Sequence, residues 1–143
     1  MTTEKSSELT LEQQRAKFAL DEVSALARQG KESYGNYKGY VEGFPAAILM
    51  DGLGQACATL MAKREKDAGA KHLFDHMQRW LCEEGFAPYA PKKGNKPDLM
   101  QAIVDTPQQT YVQAQAEALA LLVWLKKFSQ AFLETKGAGG SHD

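Results

Sequence analysis

The stretch Phe44–Arg64, FPAAILMDGLGQACATLMAKR, constrains the fold more than any other part of the chain. It is the most apolar continuous stretch of the first half. Ile48, Leu49, Leu53, Ala56, Cys57, Leu60 and Met61 recur at spacings of three and four, the period of one helix face. The opposite face is narrow: Asp51, Gln55, Thr59 and Lys63. Pro45 suits a first helical turn, where its missing N–H is no loss. Gly52 and Gly54 each cost about 1 kcal/mol relative to Ala inside a helix. A neighbouring backbone packed against the bare Cα can offset that. The spacing predicts a central helix, crossed closely by other helices near Gly52.

The rest of the chain supplies those helices. Thr10 with Gln13 forms a capping-box pattern, and a first helix follows to about Gln29, with Leu11, Phe18, Ala19, Val23 and Leu26 inward. Tyr34, Tyr37 and Tyr40 are three apart and share one face of a short, glycine-broken helix. A fourth helix runs from about Ala70 to Glu84 on Leu73, Phe74, Met77, Trp80 and Leu81. Residues 85–97 form one long loop holding Lys92, Lys93 and Lys96. A short helix covers about Asp98 to Asp105. Thr106-Pro107-x-Gln109 is a second capping-box start, with Pro at the first helical position. The helix it opens runs to about Glu134. Tyr111, Ala114, Ala118, Leu121, Leu122, Leu125, Phe128 and Phe132 form its main face; Val112, Leu119, Val123 and Trp124 lie on others. Such breadth calls for burial on two sides, or on one side with a partner on the other. No segment reads as a strand. The expected fold is all-α, a compact bundle of about six helices with a long C-terminal helix. It forms one domain over residues 10–134, with residues 1–9 frayed and 135–143 a flexible tail.

Several chemistries fit poorly. His72 and His76 stand one helical turn apart, as in a zinc half-site, but a tetrahedral site needs a third protein ligand. Two surface histidines are the simpler reading. Gly52-x-Gly54 begins a dinucleotide fingerprint but lacks the third glycine and the preceding strand. No Ser or Cys sits in a nucleophile elbow, and the carboxylates are scattered beside Lys or Arg. No enzyme activity, cofactor or metal is expected. Cys57 and Cys82 read as buried free thiols. The longest wholly apolar run, Ala118–Leu125, is far too short to cross a bilayer, and the polar N-terminus has no signal-peptide core. A cytoplasmic location without membrane contact is the expectation.

Basic residues interleaved with aromatics remain. The formal charge is −1, so affinity for nucleic acid must come from local clustering of the 17 lysines and arginines. Such side chains bind phosphate without reading sequence, and tyrosines can stack on bases.

Several segments, in this order, resemble a known family: Arg15-Ala16-x-Phe18-Ala19; Tyr37-Lys38 before Pro45-x-x-Ile48; Gly52-Leu53-Gly54-Gln55-Ala56; Leu73 and Leu81; Tyr111; and Ala118-x-x-Leu121-Leu122-x-Trp124-Leu125-Lys126-Lys127-Phe128. Over roughly residues 12–133 the chain is similar to the small helical subunit of the type III-B CRISPR RNA-targeting effector, the Cmr complex. Asp51 stands where that family usually has Asn. The resemblance implies a non-catalytic subunit that stacks with copies of itself beside the other effector subunits. It would contact guide RNA and target RNA through their backbones. The basic positions it matches are Arg15, Lys38, Lys126 and Lys127. Lys17, Lys63 and Arg64 join them by proximity in the predicted helices. The rival reading is a helical protein–protein adaptor without RNA contact, motivated by the apolar surface left over on the last helix.

Overall fold

The computed structural model describes residues 9–84, 87–89 and 97–134. The expectations for the first eight residues, for Lys92, Lys93 and Lys96, and for the tail from residue 135 lie outside the described residues. The described residues form six helical segments and no strand: α1 (Leu11–Gln29), α2 (Lys31–Tyr34), α3 (Tyr37–Lys63), α4 (Ala68–Cys82), α5 (Leu99–Asp105) and α6 (Gln108–Phe132). The expected all-α bundle with a long final helix is the observed fold.

The central stretch differs from its expectation in an instructive way. The helix starts at Tyr37, so Pro45 lies inside it rather than in its first turn. Gly52 has φ 90° and ψ 156°, which no helix contains. A straight helix would hold Tyr40 and Lys63 about 35 Å apart at 1.5 Å per residue. Instead the Lys63 ammonium lies 5.7 Å from the Tyr40 ring centroid. α3 is therefore two arms, 37–51 and 53–63, folded back on each other at Gly52. The fold-back is capped from α6. The Leu53 N–H donates to Gln115 Oε1 at 2.9 Å, and the Gly54 N–H donates to Tyr111 Oη at 2.9 Å. These are amides that a new helix start leaves without a partner. A Cβ at Gly52 would lie 3.0 Å from Tyr111 Oη. The close approach expected near Gly52 is real, but it serves a break in the helix.

The fold-back also decides a question of composition. Residues 31–63 are apolar enough for a membrane span. Their arms would reach only about 22 and 16 Å, short of the roughly 30 Å hydrocarbon core.

The core lies where α3, α4 and α6 meet, with Tyr37, Ile48, Leu53, Leu73, Met77, Leu81, Leu121, Leu122 and Leu125 fully buried. α1 packs on α6. Its predicted capping box is present in full: Gln13 N–H to Thr10 Oγ1 at 3.0 Å, and Thr10 N–H to Gln13 Oε1 at 2.8 Å. The second predicted box is not formed. Pro107 is itself the cap residue of α6, and Thr106 Oγ1 donates to the Ala102 carbonyl at 2.7 Å, closing α5 instead. Two predicted inward residues face out. Leu49 is 71% exposed and Phe132 46%. Leu49 precedes the fold-back, where the apolar face ends. Phe132 is the last residue of α6, and Leu133 is buried in its place.

Candidate nucleic-acid interface

Folding α3 back on itself brings its two ends together. Lys38 and Tyr40 open the first arm; Lys63 and Arg64 close the second. Tyr40 and Lys63, 23 apart in the chain, become neighbours at one end of the molecule, and Lys66 follows in the turn to α4. Two aromatic rings floor this end. The Lys63 ammonium sits over Tyr40, and the Arg64 guanidinium carbon lies 5.1 Å from the Phe74 ring centroid. Such contacts hold the long side chains without neutralising them.

The one carboxylate seen bonded within this cluster is already occupied. Asp67 caps α4, accepting from the Gly69 N–H at 3.1 Å through Oδ1, and it accepts the Tyr40 hydroxyl at 2.7 Å through Oδ2. Burial, with help from Asp67, pushes the Tyr40 phenol up to about 12. Gly69 lets this corner close. A Cβ there would lie 2.6 Å from the Tyr37 backbone nitrogen, so α4 starts directly against the start of α3.

The seven sequence-predicted residues divide. Lys63 and Arg64 sit over the Tyr40 and Phe74 rings, Lys38 lies two residues before Tyr40 at the start of the facing arm, and no carboxylate pairs with any of the three among the described residues. Lys126 and Lys127 are exposed on α6 and likewise unpaired among the described residues, but no contact joins them to that end. Lys17 is exposed and pairs with Asp21 at 3.1 Å, an exposed i,i+4 pair of the kind that contributes a few tenths of a kcal/mol. Arg15 has another role. Its Nε and Nη2 donate to the two oxygens of Glu117 at 2.6 and 2.8 Å, and its Nη1 to Glu12 at 2.9 Å. Glu117 also accepts the Trp80 indole N–H at 2.8 Å. Hydrogen bonding to Glu117 raises the Arg15 pKa despite burial. Arg15 is a strut joining α1, α4 and α6. Lys66, which the sequence groups with Lys63 and Arg64 among its basic residues, is exposed in the turn just before the Asp67 cap.

The histidine reading needs correction on one residue. His76 is 4% exposed, not a surface residue. Its Nδ1 lies 2.6 Å from Tyr37 Oη and its Nε2 3.5 Å from Glu22, which accepts from Arg79 at 2.7 Å. Tyr37 is fully buried, and its phenol is held well above the usual range by desolvation. The phenol therefore stays protonated in its hydrogen bond with Nδ1, while Nε2 faces Glu22. Glu22 is lowered to about 2, first by hydrogen bonding to His76. His72 Nε2 lies 3.2 Å from the Ser33 carbonyl oxygen. Both imidazoles are engaged in tying helices together, and no cluster of three metal-ligating side chains exists among the described residues.

Comparison with known proteins gives this arrangement a family. The model of a family described as CRISPR-associated protein (Cas_Cmr5) matches residues 11–132, from the first residue of α1 to the last of α6. Among solved structures, the chain is similar to a CRISPR-associated Cmr5 family protein from Thermus thermophilus. The two share 25% identity and a TM-score of 0.68 over 88% of this chain and 100% of that one.

Proposed function

The chain belongs to the Cmr5 family of CRISPR-associated proteins, and from that premise we propose that its cationic end lies against the backbone of guide–target RNA. Membership makes it a subunit of the type III-B Cmr effector, with the other effector subunits as partners. Its part there is non-catalytic: it stacks with copies of itself and lines the RNA groove in antiviral defence.

The observation that carries the RNA contact is the gathering of Lys38, Lys63, Arg64 and Lys66 at the mouth of the folded-back α3, without carboxylate partners among the described residues. Lys126 and Lys127 offer a second exposed pair on α6. Cationic groups over aromatic floors suit phosphates in any sequence. Arg15 takes no part, because Glu117 and Glu12 hold its guanidinium.

Ultraviolet crosslinking of the reconstituted effector, loaded with guide and target, tests this. Crosslinked peptides should come from residues 37–40 or 63–66, or from 126–127. Crosslinks confined to other faces would refute it. The adaptor reading keeps one observation of its own: Leu49 and Met50 stand 71% and 81% exposed beside the fold-back. If the subunit joins the complex but yields no RNA crosslink, that reading takes over.

A further inference from the structure

One face of α6 stays uncovered among the described residues. Val112, Ala116, Leu119 and Val123 follow at spacings of four, three and four, the heptad spacing that keeps a seam on one side of a helix. Val112 is 57% exposed and Val123 51%; Ala116 is exposed and Leu119 half-buried. The four span about 17 Å at 1.5 Å per residue. The side of α6 turned to the core is a different one, carrying Ala114, Ala118, Leu121, Leu122 and Leu125. Charge is missing around the seam. From Gln108 to Leu125 the only charged residue is Glu117, and Arg15 and Trp80 hold it. The exposed polar groups there, Gln108, Gln109 and Gln113, are neutral, although 24% of the whole chain is charged. A solvated helix turns charge outward; an apolar seam among neutral residues has the composition of a contact surface.

We infer that this face pairs with the same face of a second copy, α6 against α6 and antiparallel, about a two-fold axis level with Glu117 and Ala118. The seam is complementary to itself in that arrangement. Val112 of one copy meets Val123 of the other, and Ala116 meets Leu119, small against large. Charge selects the direction. Antiparallel pairing carries Lys126 and Lys127 of each copy over Gln108 and Gln109 of the other, next to the exposed Asp105 three residues before α6. Parallel pairing would set the lysines against each other. An RNA phosphate finds no lysine or arginine between Gln108 and Leu125. Lys126 and Lys127 then serve the pairing, and phosphate contact falls to the folded-back end of α3. A two-fold contact closes on itself, so it is separate from end-to-end stacking of copies. A seam this short belongs to the weak class of interfaces, and the free chain should pair at high micromolar to millimolar concentration.

Sedimentation of the full chain over that range should show a concentration-dependent dimer. A116E sets two like charges beside the axis and should weaken the dimer at least about tenfold, with the urea midpoint unchanged because the residue is exposed. V123E repeats the test at the end of the seam if A116E is not folded. K63Q/R64Q should leave the dimer as it is. Direction is read by coupling cysteine variants with a short bis-maleimide, to which the buried Cys57 and Cys82 are closed. A mixture of V112C and V123C chains should couple far faster than either variant alone. Equal coupling of V112C to itself would overturn the inference, as would a folded A116E chain that dimerises like the parent, or no dimer at millimolar chain. Copies that couple only through other faces would also overturn it, while leaving their stacking in the effector intact.

Discussion

Replacing Gly52 by Ala should destabilise the protein by about 2 kcal/mol, although Ala is the better helix former by nearly 1 kcal/mol. The helix-propensity rule does not apply, because Gly52 is not helical. At φ 90° and ψ 156° it occupies a region that is essentially glycine's alone, and holding another residue there costs about 1–3 kcal/mol. The new Cβ would also lie 3.0 Å from Tyr111 Oη. Moving the phenol weakens its bond to the Gly54 N–H, a net loss of about 0.5–1.5 kcal/mol. Reduced freedom of the unfolded chain returns about 0.4–1 kcal/mol. Two other glycines calibrate the sum. Gly30 shares the positive φ, at 101°, but a Cβ there meets nothing within 4 Å. G30A should therefore show the backbone cost alone, roughly 1 kcal/mol less than G52A. Gly43 lies within the helical first arm with open space around it, so G43A should stabilise by about 0.5–1 kcal/mol. Urea unfolding followed by circular dichroism measures all three, and G52A should lower Tm by roughly 8 °C. A G52A variant as stable as the parent, or one matching G43A in sign, would refute the fold-back at Gly52.

Three further outcomes follow from the same contacts. E117A should cost about 2–3 kcal/mol in the same urea assay, less than a fully buried pair because both partners keep some exposure, since it strands the Arg15 guanidinium and the Trp80 N–H together. Glu22 has its folded pKa lowered from 4.5 to about 2, so its contribution is fully present above about pH 4.5 and is lost as pH falls towards 2. E22Q should flatten the pH dependence of stability in that window, measured by urea midpoints; a dependence below pH 4.5 as steep as the parent's would refute this. Burial pushes Cys57 and Cys82 up to about 12; alkylation by iodoacetamide at pH 8 should therefore follow the rate of global unfolding, not that of free thiols.

Much of the fold was legible because it is written in periodicity. The spacing of Leu73, Phe74, Met77, Trp80 and Leu81 specifies the buried face of α4, and all five are buried. The Thr10–Gln13 box marks the start of α1 to the residue. What periodicity cannot convey is a change of direction inside an unbroken apolar run. Ile48 and Leu53 share a spacing consistent with one helix whether or not Gly52 is helical; only the amides of Leu53 and Gly54 reveal the break, and their acceptors lie about 60 residues away in α6. The interface suffered from the same limit. Tyr40 and Lys63 are far apart in sequence, and their meeting depends on that turn. Arg15 looked like its neighbour Lys17, yet the carboxylate that holds it is 102 positions distant. His76 looked exposed on a helical wheel because its partner Tyr37 belongs to another helix.

The most direct measurement of the central claim is the salt dependence of target-RNA binding by the reconstituted effector. Each phosphate contact adds about 0.7–0.9 to the slope of log K against log salt concentration. Replacing Lys63 and Arg64 together by Gln in every copy should lower the magnitude of that slope by at least about 1.4, while R15Q should leave it unchanged. An unaltered slope in the Lys63/Arg64 variant, with the subunit still incorporated, would contradict an RNA-facing role for the end of α3.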